Sequence, residues 1–479
     1  MINILIFLAA LVLIMPAIIG LTYFVSCIWE KEKRAAILAG LQFLGMLALV
    51  IILFFLAWID FFESTAGLTL LICGLVLGAL ASFLLIIRFG SNPKARQGAK
   101  ALIVGEVKRP DEREIVFARN MFLPPGSERY ELFYKEHPEM EEYDSKRRER
   151  GGVFGTIGTI DKPHEGPNVA AVTAHLFFQL GLASPDKIKP PPSTTSKTHL
   201  SPEEATERIK GYARSVGADL VGITEVNPLW FYSHKGMTSD EWGKEIEVEH
   251  KYAVVFAVEM SSRMIAAGPH TPSMIESMYK YSDVAAISNQ VASFIARLGY
   301  SATVNQVHYY EAILIPMAVD AGLGELGRIG YLVTKEFGPR VRLGAVTTDM
   351  PLVTDKAVDI GVRNFCKICS KCAVCCPSSS IAVGDPREVN GTLRWKLNAE
   401  TCFDYWGRVG TECCICMRVC PWSHVRTFPH RVIMELITRN KIARRLFSAM
   451  DDIFYGKRPK SKPPPRWAQF GPWKTDLEP

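Results

Sequence analysis

Ten cysteines fall between residues 366 and 420 of this 479-residue chain, and their spacing is its strongest chemical signal. Cys366-x2-Cys369-x2-Cys372-x3-Cys376-Pro377 is the arrangement in which three thiolates hold one iron–sulfur cubane and the fourth reaches across to a second. The proline sets a fixed turn where the chain leaves the site. A second run, Cys413-x2-Cys416-x3-Cys420-Pro421, is one cysteine short, and Cys402, eleven residues upstream, supplies the replacement. Crosswise ligation then assigns Cys366, Cys369, Cys372 and Cys420 to one 4Fe–4S cluster and Cys376, Cys402, Cys413 and Cys416 to the other. Cys375 and Cys414, each beside an assigned ligand, read as packed thiols, with a one-residue slip open at either site. Zinc is the competing reading, because CxxC pairs also build tetrahedral thiolate sites. Two neighbouring clusters form an electron path, and the rest of the chain has to supply its two ends.

Three apolar runs, 4–29, 35–59 and 67–87, are each long enough to cross a hydrocarbon layer of about 30 Å. A chain that starts MINILIF and has three full-length runs matches neither a short cleavable leader nor a twin-arginine signal. The alternative is buried helices of a soluble protein. Lys31, Lys33 and Arg34 lie between the first two runs, DFFESTAG between the second and third carries only acidic charge, and Arg88, Lys94, Arg96 and Lys100 come after the third. Because basic loops stay in the cytoplasm, the reading is a multi-pass protein of the cell membrane, N-terminus outside and everything after about residue 90 facing the cytoplasm. Thiols are kept reduced there, which argues against a disulfide framework. Cys27 and Cys73 sit inside the spans as small apolar residues. The first histidine is His137, so histidine-ligated haem between the spans is excluded, and Thr22 and Ser26 are poor quinol contacts. A net charge of +6 spread over a composition 22% charged suggests no nucleic-acid partner.

Local patterns between the spans and the cysteines supply the scaffold. Residues 96–187, including YDSKRRERGG, read as a solvated charged surface, and 189–201 as a linker. Ser201 and Glu204 form a capping box with Pro202 at the first helical position, opening a helix that ends at Gly217. ADLVGIT and KYAVVFAVEM (251–260) read as strands. An amphipathic helix begins at Ser282, with Val284, Ile287, Val291, Phe294, Ile295 and Leu298 on one face, and stops at Gly299. AGLGELGRIG (321–330) has glycine enough to bring backbone against a large ligand, and the formal GxGxxG from Gly322 to Gly327 lacks the following helix that a dinucleotide site needs. VRLGAVTTDMPL (341–352) is a strand leading to the cysteines. The fold class is α+β: N-terminal transmembrane helices (1–95), a mixed α/β core (96–355), a ferredoxin-like module with two clusters (356–430) and a C-terminal extension (431–479).

Several of these segments together resemble the corrinoid-dependent reductive dehalogenases: GADLVGI (217–223), YSDVAAISNQVASFIARLGYSA (281–302), AGLGELGR (321–328), GPRVRLGAVTTDMPL (338–352) and the cluster runs ending CPW. The resemblance covers roughly 200–425. It implies a base-off cobalamin in the core beside the clusters, reduced through them to remove halide from a small organohalide; the chain has no DxHxxG cobalamin motif, and the family uses none. It implies Tyr281 as proton donor, placed at a helix start whose dipole would favour phenolate, with Tyr279, Tyr309 and Tyr310 as bystanders. Arg342, with Arg340 as the alternative, is its basic partner, Asn305 a polar pocket group, and Gly322, Gly324 and Arg328 cofactor contacts. Trp230, Tyr232, Trp242, Trp395 and Trp422 would wall the pocket or pack the core. Typical respiratory members are exported and tethered to a separate membrane protein, so this chain reads as a fused-anchor variant contacting membrane lipid and an electron-donating partner, whether ferredoxin, flavoprotein or quinol-linked. Two other readings are an epoxyqueuosine reductase-like corrinoid enzyme, which would carry aspartate as its acid, and a membrane-bound iron–sulfur electron carrier with no substrate.

Overall fold

The three apolar runs fold as helices α1 (Ile2–Trp29), α2 (Lys33–Trp58) and α3 (Thr65–Ile86). At 1.5 Å rise per residue each is long enough to span a bilayer core. Their outward positions, among them Phe7, Val25, Ile37, Phe54 and Phe83, are exposed and apolar. Small residues face inward: a Cβ on Gly20 would lie 3.5 Å from the Phe43 backbone, so α1 and α2 approach closely.

This computed structural model describes residues 2–157, 166–194, 197–469 and 473. It divides the chain into two compact units, Met1–Ser91 with His424–Pro459, and Asn92–Ser423 with Lys460–Pro479.

The second unit is built on an antiparallel sheet of strands β1 (Leu220–Glu225), β2 (Tyr252–Glu259), β3 (Ala302–Asn305) and β4 (Val341–Thr348), in the order β1-β2-β4-β3. The unbroken run AVVFAV of β2 is buried throughout, as a strand covered on both faces must be. Helix α4 (Pro202–Ser215) carries both halves of the expected capping box. Together with α5 (Thr271–Arg297) it covers one face, where Ile209, Ile223, Phe256, Val284, Val291 and Val346 share a core. Trp230, Phe231, Val255, Met317 and Ala345 form the core on the other. Helix α6 (Ala399–Val409) carries Cys402, and among the described residues no helix follows the Gly322–Gly327 run, which enters a two-stranded hairpin, Glu325–Leu326 with Leu332–Val333.

Two expectations are corrected. YDSKRRERGG is solvated on one side only, with Tyr143, Lys146 and Glu149 exposed. Asp144 and Arg147 are buried, and Asp144 pairs with Arg119 at 2.6 Å and Arg147 at 2.9 Å, while Glu400 of α6 completes the network. Alternating signs that could neutralise one another are indistinguishable in sequence from charges facing water. The second correction concerns α5, which begins at Thr271 rather than Ser282.

Helices α7 (Phe428–Arg439) and α8 (Lys441–Tyr455) belong to the same compact unit as α1–α3. Asn440 donates from Nδ2 to the Leu84 and Ile87 carbonyls, 2.7 and 2.8 Å away, and so satisfies the end of α3. Phe454 packs with Tyr23, Cys27 and Ala39.

Candidate active site

Helix and strand periodicity bring two side chains together. Ser277, Tyr281, Val284 and Ser288 follow one another at steps of four, three and four along α5, and Arg342, Gly344 and Val346 alternate along one face of β4. A Cβ on Gly344 would come within 2.7 Å of Val284 Cγ1, so the helix lies directly on that strand. One turn away, the Arg342 guanidinium carbon is 4.6 Å from the Tyr281 ring centroid.

Arg342 is held in place. Its Nη2 donates to Glu412 Oε2 at 2.8 Å and to Ser277 Oγ, and Ser277 Oγ donates to Glu412 Oε1 at 2.7 Å. Ser273 Oγ, one turn earlier, donates to the Glu412 carbonyl at 3.1 Å. Burial opposes the charge on Arg342, but Tyr281 and Glu412 outweigh it and keep the guanidinium above its usual range. Burial raises the Tyr281 phenol, and Arg342 counteracts part of that rise. Arg342 Nε and Thr411 Oγ1 are buried without a hydrogen-bond partner among the described residues. Buried donors without a partner fit a site that receives a polar ligand.

The dipole argument for Tyr281 does not survive. The helix starts ten residues earlier, beyond the first turn over which its dipole acts. What favours phenolate here is Arg342.

The cysteines converge as two sets. Cys366, Cys369, Cys372 and Cys420 line one cavity with Arg328 and Trp422. The Cys372 thiol is pushed up by burial and by Cys366, Cys420, Cys416 and Cys369. In the other set, Cys402 is raised to about 12 by burial, then by Cys416 and Cys376, and Cys413 is raised by burial, then by Cys416. Backbone N–H groups already point at sulfur, Arg328 N at 3.5 Å from Cys366 Sγ and Ser380 N at 3.3 Å from Cys376 Sγ. Buried thiols crowded together with amide donors aimed at them fit metal–sulfur clusters, whose potentials such donors tune.

The two runs also share a backbone device that decides their register. Ser370 and Cys414 both adopt left-handed backbone, φ 51°, each two residues before a cysteine, Cys372 and Cys416. Cys414 therefore occupies the place of a serine, and Cys375 that of Val419, so neither extra thiol has a cysteine counterpart in the other run.

The remaining candidates are engaged elsewhere. Arg340 is buried and donates to Ser423 O and Glu259 Oε1, both at 2.9 Å, and to Met260 O. Asn305 Oδ1 accepts from the Glu311 and Ala312 amides at 2.9 and 3.2 Å, which shapes the loop after β3. A Cβ on Gly322 would meet the Lys356 carbonyl at 2.5 Å and one on Gly324 the Val333 carbonyl, so both glycines admit the protein's own backbone. The Arg328 guanidinium donates to the carbonyls of Cys366, Ala382, Val383 and Gly384. Arg328 binds together the chain around the first cysteine set. Tyr309 donates to Glu311 at 2.8 Å, Tyr279 is exposed, and Tyr310 packs on Tyr232. Trp230, Trp395 and Trp422 are buried core residues, while Trp242 packs on Phe133. Sequence reasoning does not single out Ser277 and Glu412. The one available signal is the acid directly preceding Cys413.

Comparison with known proteins adds an independent line. No protein-family model matches the chain. It is 32% identical over 279 residues to tetrachloroethene reductive dehalogenase of Desulfitobacterium hafniense, covering 48% of this chain and 50% of that protein. To the enzyme of the same name from Sulfurospirillum multivorans it is 32% identical over 303 residues, covering 56% and 59%. The chain is thus similar in sequence to the reductive dehalogenases. These dehalogenases are oxidoreductases, and the chain spans little more than half the length of the curated relatives it matches. The fold agrees: the catabolic reductive dehalogenase NpRdhA, solved with 3-bromo-4-hydroxybenzoic acid, superimposes with a TM-score of 0.60 at 27% identity, over 78% of this chain and 49% of that one. A further dehalogenase structure with the same values is described as suggesting a mechanism for B12-dependent dehalogenation.

Proposed function

We propose that this chain is a membrane-anchored reductive dehalogenase in which Tyr281 protonates the carbon that loses halide. The observation that carries this reading is the Tyr281–Arg342 contact, locked by Glu412 and Ser277 one residue from the cysteine at 413. The net reaction replaces a carbon–halogen bond by carbon–hydrogen, with two electrons and one proton taken up and halide released. When bound, a base-off corrinoid would supply low-valent cobalt chemistry for carbon–halogen cleavage, and two 4Fe–4S clusters would supply its electrons one at a time. Cys366, Cys369, Cys372 and Cys420 would hold one cluster and Cys376, Cys402, Cys413 and Cys416 the other.

The protein's own part is proton delivery and charge compensation. Tyr281 gives the phenolic proton, and Arg342, always cationic, stabilises the phenolate left behind. Glu412 and Ser277 orient Arg342. Its Nε and the Thr411 hydroxyl would meet acceptor groups of the bound ligand. The helices α1–α3 serve as anchor in lipid, with Lys31, Lys33 and Arg34 and the basic stretch after α3 on the cytoplasmic side. A small organohalide is the substrate class, and a soluble or quinol-linked donor supplies the electrons.

Anaerobic purification with iron, sulfide, cobalt and corrinoid analysis, followed by a halide-release screen, tests the proposal. About eight irons, corrinoid and halide release are expected. A preparation that takes up no corrinoid and releases no halide overturns it; iron–sulfur clusters alone would leave an electron carrier.

A further inference from the structure

The proposed chemistry makes no use of a polar cluster in the unit that holds the membrane helices. Glu30, directly after α1, His424, and His430 in α7 place one ligand atom each within 4.8 Å of one another. The Glu30 and His430 side chains are 7% and 6% exposed, with Glu30 Oε1 3.6 Å from His430 Nδ1. The two imidazoles stack nearly parallel, their planes 16° apart and centroids 5.0 Å apart.

Each histidine is oriented through a second contact. His424 Nε2 lies 2.7 Å from Asp451 Oδ1, which leaves Nδ1 as the atom that can ligate. His430 Nε2 is 3.0 Å from the Tyr455 hydroxyl, which is itself 2.9 Å from Tyr23 Oη; Nδ1 faces Glu30 and also lies 2.8 Å from the Thr427 hydroxyl, a contact that a bound ion would displace. A carboxylate or hydroxyl on the far nitrogen is the outer arrangement that fixes tautomer and ring orientation in metal-binding histidines. Two imidazoles and one carboxylate form a recognised donor set for zinc, with bonds of about 2.0–2.2 Å. Tetrahedral angles at those lengths put ligand atoms roughly 3.3 Å apart, so side-chain movements of about an ångström would close the site.

We infer that Glu30, His424 and His430 form a binding site for a divalent transition-metal ion of the zinc class, tying the end of α1 to α7 and the segment before it. The ligands come from residues far apart in sequence, and the ion would fix the C-terminal helices to the membrane helices. One coordination position remains for water.

The test uses the full chain, purified anaerobically in detergent, stripped with a chelator too weak to remove cluster iron, and titrated with zinc sulfate. Metal content and zinc-edge X-ray absorption are read together. One zinc per chain beyond the iron, with a nitrogen and oxygen first shell, is expected. His424→Ala and His430→Ala should lose that zinc while keeping the wild-type iron content. Asp451→Asn, milder for folding, should weaken zinc binding about 10–100-fold. Failure to take up zinc, a first shell of sulfur alone, or unchanged uptake in both histidine variants overturns the inference. Because iron content and halide release are separate readouts, loss of this site and failure of the dehalogenase proposal are distinguishable.

Discussion

The Arg342 guanidinium lies 4.6 Å from the Tyr281 ring centroid, and Glu412 holds it there through a 2.8 Å ion pair. Arg342 lowers the phenol where burial raises it. An acid in that position delivers a proton without leaving an isolated buried anion. Tyr281→Phe should therefore keep iron and corrinoid at wild-type levels and lose about 10²–10⁴-fold in halide release, the usual contribution of a positioned general acid. Wild-type turnover in that variant would move the proton donor elsewhere.

Arg342→Gln tests the partner. Tyr281 donates only while protonated, so activity falls as pH rises through its pKa. Removing the cation raises that pKa, because Arg342 is the group that lowers it. The alkaline limb should move to higher pH while the maximal rate falls by about tenfold or more, the phenolate having lost its stabilising charge. Arg342→Lys restores charge without the planar fork and should recover only part of the rate. An alkaline limb that stays in place in the Gln variant separates Arg342 from the titration.

The cysteine assignment predicts an unequal set of serine substitutions. Cys420→Ser removes a sulfur from the cavity shared with Cys366, Cys369 and Cys372 and should perturb one cluster, lowering iron toward about four per chain or altering one paramagnetic signal. Cys375→Ser should leave iron unchanged, since it occupies the place that Val419 has in the second run. Full iron in Cys420→Ser combined with loss in Cys375→Ser would mean the register has slipped by one.

How far these sites are legible in the sequence depends on whether their determinants are local. The cysteine runs declare themselves because ligand spacing within a tight turn is local, and their register is repeated in the backbone at Ser370 and Cys414. Strand β2 and the capping box at Ser201 are readable for the same reason. The start of α5 is not. Thr271, Ser273, Glu276 and Ser277 are polar yet buried, so they break the apolar periodicity that marks the later turns. They are buried because their partners come from elsewhere: Glu412 for Ser277, and the Ser261 amide, 2.6 Å away, for Glu276. Asp144 and Arg147 mislead in the same way, their partners Arg119 and Glu400 lying outside the charged run. The choice between Arg340 and Arg342, two residues apart on one strand, needs the neighbours of each.

The buried pair of Asp144 with Arg119 is a stability prediction away from the chemistry. Both side chains are at most 1% exposed, and Asp144 also accepts from Arg147 and from Tyr134 at 2.8 Å. Asp144→Ala would remove the buried carboxylate between two guanidinium groups and leave them to share Glu400. A loss of about 3–5 kcal/mol is expected, as when one member of a buried pair is removed, read as a lower denaturation midpoint with cluster absorbance as the probe. A variant as stable as wild type would mean that water enters the network.

Glu112 sets a dependence of stability on pH. It is 1% exposed, and its Oε2 accepts from the Gly236 and Met237 amides at 2.7 and 3.1 Å. Burial, outweighing those two bonds, raises its pKa from 4.5 to about 7. An acid whose folded pKa is raised keeps its proton in the native state after the unfolded chain has released it. Native protein thus binds the extra proton between about pH 4.5 and 7, and stability falls across that window and levels off above it. A rise of this size corresponds to about 3 kcal/mol. Glu112→Gln retains an acceptor for the amides and has nothing to titrate. The variant should match wild type near pH 4.5, exceed it above about pH 7, and lose the part of the slope between; parallel profiles for the two proteins would show that folding leaves the Glu112 pKa unshifted.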